Sequence, residues 1–160
     1  MTQVEQLASI FSQVDKEFSM KKFDDKLQVQ KIVYLLQEYG VSLGYSYEWY
    51  IRGPYCKQVS ADAHIVLDTD VMPQPPEQVH LNADQIKQFN DILSVHFNDT
   101  TWLEIAASIV YLKKQHYSED ALDDIVGYLI EDLSYGYKNF DESLVRQVID
   151  ELNTLNFLNA

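Results

Sequence analysis

Along most of this chain apolar side chains recur every three or four residues, but between Tyr45 and Arg52 the period drops to two. Tyr45, Tyr47, Trp49 and Ile51 alternate there with Ser46, Glu48, Tyr50 and Arg52. Aromatic and β-branched residues alternating with polar ones are the pattern of a half-buried strand. Gly53-Pro54 is expected to end it, because proline cannot donate to a ladder and glycine relaxes the backbone. Val41 to Leu43 reads as a second short strand or as the approach to the first. A lone β element inside a helical chain restricts the architecture to a mainly α fold with a small strand or hairpin near residues 41–52.

The three-to-four spacing predicts about six to seven helices, over residues 4–18, 25–39, 57–68, 82–96, 102–115, 118–133 and 141–152. The second is apolar over most of its circumference, with Leu27, Ile32, Leu35, Leu36 and Tyr39 on one side and Val29 and Val33 broadening it, which marks a central core helix. Gly40 suits its left-handed stop. Asn82, Ser118 and Asp141 are expected helix caps, and Thr101 with Glu104 three residues on has the form of a capping box. Pro73, Pro75 and Pro76 impose an extended loop over 71–79. The segments beside that loop are too short to fold separately, so residues 1–160 are expected to form one globular domain. A strand following helices also admits a winged-helix-like element in part of the fold.

Net charge bears on partners. With 12 Lys and Arg against 25 Asp and Glu, the formal charge is −13. Gripping a nucleic-acid backbone requires cations to neutralise phosphates. Here Lys21, Lys22 and Lys26 cluster only with Asp24 and Asp25 between them. Nucleic acid is therefore a poor partner, and a basic protein such as a toxin is a good one. No apolar run reaches the ~18 residues of a bilayer span. The start of the chain lacks a basic and then apolar leader, and Cys56 stands alone. A cytoplasmic location with no membrane partner is expected.

Catalytic patterns are weak. His64, His80, His96 and His116 share no helical turn with one another and keep no metal-ligand spacing with Cys56. No glycine-rich phosphate loop or nucleophile elbow occurs. The acidic pairs Asp24/Asp25 and Asp141/Glu142 suit helix starts, while Asp123/Asp124 and Glu131/Asp132 suit solvated faces. No catalytic residue, metal ligand or cofactor is assigned, and a noncatalytic role is expected. A hydrolase would need Cys56 brought to His64, or two carboxylates brought together. In the aromatic segment, Tyr45, Tyr47, Trp49 and Ile51 are expected to face inward, and Tyr50 and Arg52 outward. Exposed Tyr and Arg combine contact area with hydrogen bonding, as interface anchors do. Tyr50, Arg52 and Tyr55 are the candidate partner-binding residues. A structural role, with Tyr50 covering the sheet and Arg52 pairing with an acid, accounts for them equally well.

Three stretches carry a family resemblance. Val29-Gln30-Lys31-Ile32-Val33-Tyr34-Leu35-Leu36 resembles the Leu-Gln-Lys-centred helix of the YwgA-type phage-associated family and of the related Panacea (SocA-like) antitoxin domain. Gly44-Tyr45, Tyr47-Glu48-Trp49-Tyr50 and Gly53-Pro54-Tyr55-Cys56 are similar to that group's aromatic strand and Gly-Pro-Tyr-Ser turn. Trp102-Leu103-Glu104-Ile105-Ala106-Ala107-Ser108-Ile109, followed by Tyr111-Leu112, is similar to a later block of the YwgA type. Val29 stands where the group has Leu, Cys56 where it has Ser, and the group's late Lys-Pro is missing around 127–133. The resemblance spans 27–152. It implies a small, mainly helical fold and a phage, prophage or toxin–antitoxin context with antitoxin or adaptor work, and it brings no catalytic residues. The expected function is a noncatalytic protein-interaction module of that kind. The alternative is a DNA-binding transcriptional regulator with a winged-helix-like element, for which helix 25–39 is too apolar to lie in a groove.

Overall fold

The computed structural model describes residues 2–50, 52–68, 82–115, 122–131 and 140–158. In order these form α1 (Gln3–Gln13), α2 (Phe23–Tyr39), β1 (Glu48–Tyr50), β2 (Gly53–Tyr55), α3 (Lys57–Asp68), α4 (Ala83–Leu93), a 3₁₀ turn (Ser94–His96), α5 (Thr100–Gln115), α6 (Leu122–Glu131) and α7 (Glu142–Thr154). The fold is mainly α with one antiparallel hairpin. The proline loop at 71–79, His80, His116, Ile51, Ser118 and nearly all of the turn at 135–140 lie outside the described residues.

Two helices make the centre. In α2, every residue from Leu27 to Leu36 is buried, and α5 packs along it. Ala106 and Ala107 are fully buried in α5, and small side chains there let the two backbones approach. The strand β2 touches both central helices. Outside this pair, α3 and α4 pack on α2, α6 and α7 pack on α5, and α1 bridges α3 and α4. Burial of α2 on all sides follows from its all-round apolar sequence.

Several ends differ from the sequence expectation, each for a local reason. Helix α1 stops at Gln13 and does not run to Phe18. Asn90 of α4 donates to the Gln13 carbonyl (2.9 Å) and accepts from the Asp15 N–H (2.9 Å), which fixes an extended exit. Phe18 returns to stack on Phe11 with ring centroids 4.4 Å apart. Asn82 sits at φ 57°, in the left-handed region, and its side chain makes no cap hydrogen bond; a side-chain cap needs an extended N-cap backbone. Beyond Leu93, the stretch to His96 tightens into the 3₁₀ turn. Helix α5 begins at Thr100, because Asp99 Oδ1 accepts from the Trp102 N–H at 3.0 Å. Asp99 is the cap, and Thr101 lies inside the helix. Glu104 is drawn into the interior and does not reach back to close a capping box. Asp141 holds the N-cap position of α7 without a side-chain bond.

The β element is shorter than the alternation suggests. Tyr45 and Tyr47 lie in extended chain outside any ladder, and Val41 to Leu43 form no strand. Gly53-Pro54 opens the return strand and does not terminate the element. The pairs are Glu48–Tyr55, Trp49–Pro54 and Tyr50–Gly53. With the loop closing at Tyr50–Gly53, the next pair exchanges no ladder bonds, so the missing N–H of Pro54 costs nothing.

Candidate functional site

The hairpin is held from below by polar side chains of α2. Gln30 clamps the Cys56 backbone at both ends: its Nε2 donates to the Cys56 carbonyl (2.9 Å), and its Oε1 accepts from the Cys56 N–H (3.0 Å). Two turns later, Gln37 does the same to Tyr45, at 2.8 Å and 3.1 Å. Between them Lys31 Nζ donates to the Pro54 carbonyl at 2.8 Å. That carbonyl points away from β1 because Trp49–Pro54 is a pair without ladder bonds. A two-stranded hairpin is marginal by itself. Here three side chains of one rigid helix supply the backbone partners that a third strand would supply.

Beneath the turn lies a buried charged cluster. Lys31 is only 1% exposed. Its ammonium is held down to about pKa 7, chiefly by burial, with the Glu104 carboxylate opposing that shift and the Arg52 guanidinium adding to it. Glu104 is also buried, and Arg52 Nη1 lies 4.0 Å from its Oε2. Gly53 crosses this cluster at φ +96°, and a Cβ there would sit 2.5 Å from Ser108 Oγ and 3.5 Å from Lys31 Nζ. Glycine is required at this crossing both by its backbone conformation and by the space available.

The three sequence candidates separate. Tyr50 and Tyr55 come together on the outer face of the hairpin, with ring centroids 5.2 Å apart at 68°. Tyr50 is 39% exposed. Arg52 belongs to the turn and does not continue the alternation of the strand. It reaches Glu104 below and lies 4.9 Å over the ring of Phe23, which is 59% exposed. Of the inward set, Tyr45 is buried and donates to the buried carboxylate of Asp62 at 2.7 Å. Tyr47 stands edge-on to Tyr34 at 4.8 Å, and Trp49 packs on Tyr111 and Tyr128.

Tyr50 and Tyr55 rim an open groove of about 440 Å³ between the hairpin and the first turn of α3. Glu48, Lys57, Gln3 and Gln58 also line it. The buried Asp62 accepts from two of the lining residues, Tyr45 and Gln58 Nε2 (2.7 Å).

The remaining chemical candidates have structural partners. His64 pairs with Asp68 one turn along α3, and no hydrogen bond joins it to Cys56, whose backbone belongs to Gln30. His96 stacks flat on Trp102 at 3.7 Å. Both donate toward Glu151 of α7, at 3.0 Å from His96 and 3.2 Å from Trp102. Burial lowers the His96 pKa, and Glu151 opposes the shift. Among the described residues no group of three or more His, Cys, Asp or Glu could hold a metal ion, and no helix is long and apolar enough to cross a membrane. Comparison with protein-family models, with curated proteins and with solved structures finds no match.

Sequence reading missed Lys31, Glu104 and the glutamine clamps. The available signal was the presence of Gln28, Gln30 and Lys31 in a helix apolar on every side. Polar groups in such a helix must find partners in the core. Gln28 follows the same rule, donating to Thr100 Oγ1 at 2.9 Å.

Proposed function

We propose that this chain is a noncatalytic protein-interaction module, antitoxin-like or adaptor-like and of phage, prophage or toxin–antitoxin context, that presents the outer face of its hairpin to a protein partner. The observation that carries the reading is the paired, outward Tyr50 and Tyr55 on a hairpin whose backbone is clamped to the central helix. Rigid aromatic anchors lose little conformational entropy when a partner docks. The net charge of −13 favours a basic partner by long-range steering. The antitoxin context comes from the resemblance of the Gln30-Lys31 helix and the Gly53-Pro54-Tyr55 turn to the YwgA and Panacea groups. Burial of α2 weighs against the DNA-binding regulator, and the separate engagements of Cys56 and His64 weigh against a hydrolase.

Co-expression with the product of the adjacent open reading frame tests the reading. The expected result is a complex that survives purification, with the neighbour toxic when expressed alone. Replacing both Tyr50 and Tyr55 by Ala is expected to weaken the complex by at least 2 kcal/mol, on the order of a hot-spot pair. If the neighbour is harmless alone and never co-purifies, the antitoxin reading fails.

A further inference from the structure

The groove beside the hairpin is lined by side chains of both charges, Glu48 and Lys57. Glu48 pairs across the hairpin with Tyr55 and lies two residues before Tyr50 on the same strand. All three therefore share the outward face, as the period of two requires. The two rings meet at 68°, so together they form an open corner. A cation over a ring face is attracted by the ring quadrupole, and an adjacent carboxylate adds charge pairing. Among the described residues the Glu48 carboxylate has neither an ion pair nor a hydrogen bond, although it lines the groove. The buried Asp62 accepts from two lining residues, through the Tyr45 hydroxyl and the Gln58 amide. The lining carries one cation, Lys57.

We propose that the Glu48–Tyr50–Tyr55 corner receives a basic side chain, lysine or arginine, of the protein partner. The proposal rests on the interaction-module reading and names the chemistry its partner must present. Charge complementarity selects this occupant: the Glu48 carboxylate in the lining, the Asp62 carboxylate bonded to two lining residues and a net charge of −13 outweigh the Lys57 ammonium. The turn of the hairpin already carries one contact of this type, where Arg52 lies over Phe23. Lys57 then acts as a selectivity element that repels a second cation and limits how basic the docked segment can be.

The test uses the full chain and defined probes, with no dependence on a natural partner. Acetyl-Gly-Arg-Gly-amide, its citrulline counterpart and acetyl-Gly-Asp-Gly-amide are titrated while the tyrosine ring resonances are followed by NMR. The arginine peptide is expected to shift the Tyr50 and Tyr55 rings saturably, with the citrulline peptide about tenfold weaker, and Tyr50→Leu is expected to weaken binding about fivefold. Glu48→Gln should weaken the arginine peptide and Lys57→Gln should strengthen it. Both positions are exposed, so the fold tolerates these changes, and circular dichroism checks that it does. Preference for the aspartate peptide, inverted effects of the two charge variants, or no ring shift with the arginine peptide overturns the assignment. A positive peptide result with failed co-purification removes the antitoxin context and leaves the site. A stable complex unaffected by Glu48→Gln, with no peptide binding, removes the site and leaves the module.

Discussion

Lys31 gives the sharpest quantitative prediction. Its amine is buried under the hairpin turn and held at about pKa 7 against an ordinary 10.5. Converted at 1.36 kcal/mol per pH unit, that difference corresponds to about 5 kcal/mol of disfavour for the charged form inside the fold. The sign follows from proton counting. Between about pH 7 and 10.5 the unfolded chain keeps the proton that the folded chain has released. The unfolded state therefore binds more protons, and stability must rise with pH. At pH 7 the folded group is about half protonated, and integration from there to about pH 9.5 gives a gain of about 3 kcal/mol. The upper limit matters, because burial pushes the Tyr34, Tyr45 and Tyr47 hydroxyls up. Those groups keep their protons in the fold and reverse the slope once free tyrosines ionise near pH 10. Growing self-repulsion of an acidic chain also changes with pH, so the measurement is a difference. Wild type and Lys31→Met are unfolded in urea at constant high salt, followed by helical circular dichroism and tryptophan fluorescence. The stability of wild type relative to the variant should climb by about 3 kcal/mol between pH 7 and pH 9.5. The variant leaves the Pro54 carbonyl without its donor, which shifts the whole curve by a constant and leaves the slope alone. A difference that stays flat within about 0.5 kcal/mol across the window would refute the buried, depressed amine.

Three further outcomes follow from the same geometry. Gly53→Ala places a Cβ at 2.5 Å from Ser108 Oγ on a left-handed backbone, and should cost about 2–3 kcal/mol in urea unfolding; combining it with Ser108→Gly should recover only the steric part. Gln30→Met removes the acceptor of the Cys56 N–H and one donor to its carbonyl, which keeps the Ser60 N–H at 3.4 Å, and should cost about 1–3 kcal/mol, with the Cys56 amide exchanging hydrogen faster while α7 amides do not. Burial lowers the His96 pKa below its ordinary 6.5, so the unfolded chain gains the proton first on acidification. The contribution of His96 is complete above pH 6.5 and is lost as pH falls, so the advantage of wild type over His96→Gln should shrink between pH 7.5 and pH 5; growth of that advantage on acidification would mean that the Glu151 pair dominates.

Those predictions all concern residues whose roles could not be read from pattern alone, and the reason is specific. Hydrophobic period located α2, α3, α5 and α7 to within a few residues, because each buries a continuous apolar face. Period also found the β element, but overstated its length. Tyr45 and Tyr47 alternate like strand residues because one side of the extended chain is buried, yet neither lies in a ladder, and the Tyr45 backbone is partnered by the Gln37 side chain. Burial alternation and ladder pairing are separate facts, and only the first is written in the residue types. Tyr50 was legible as an outward aromatic and the pairing of Arg52 with an acid was one of its two readings, whereas the place of Arg52 in the turn was not legible, since a turn breaks the alternation that assigned it. Glu104 was misread for a related reason. A carboxylate three residues after a threonine fits a capping box by local spacing, and only the long-range arrival of Arg52 and Lys31 shows why it is buried. Local pattern thus recovers what each segment does with its own neighbours in sequence. The groove corner and the charged cluster both arise where the hairpin is folded back on α2, so their residues acquire meaning only once Gln30, Lys31 and Gln37 have fixed that return.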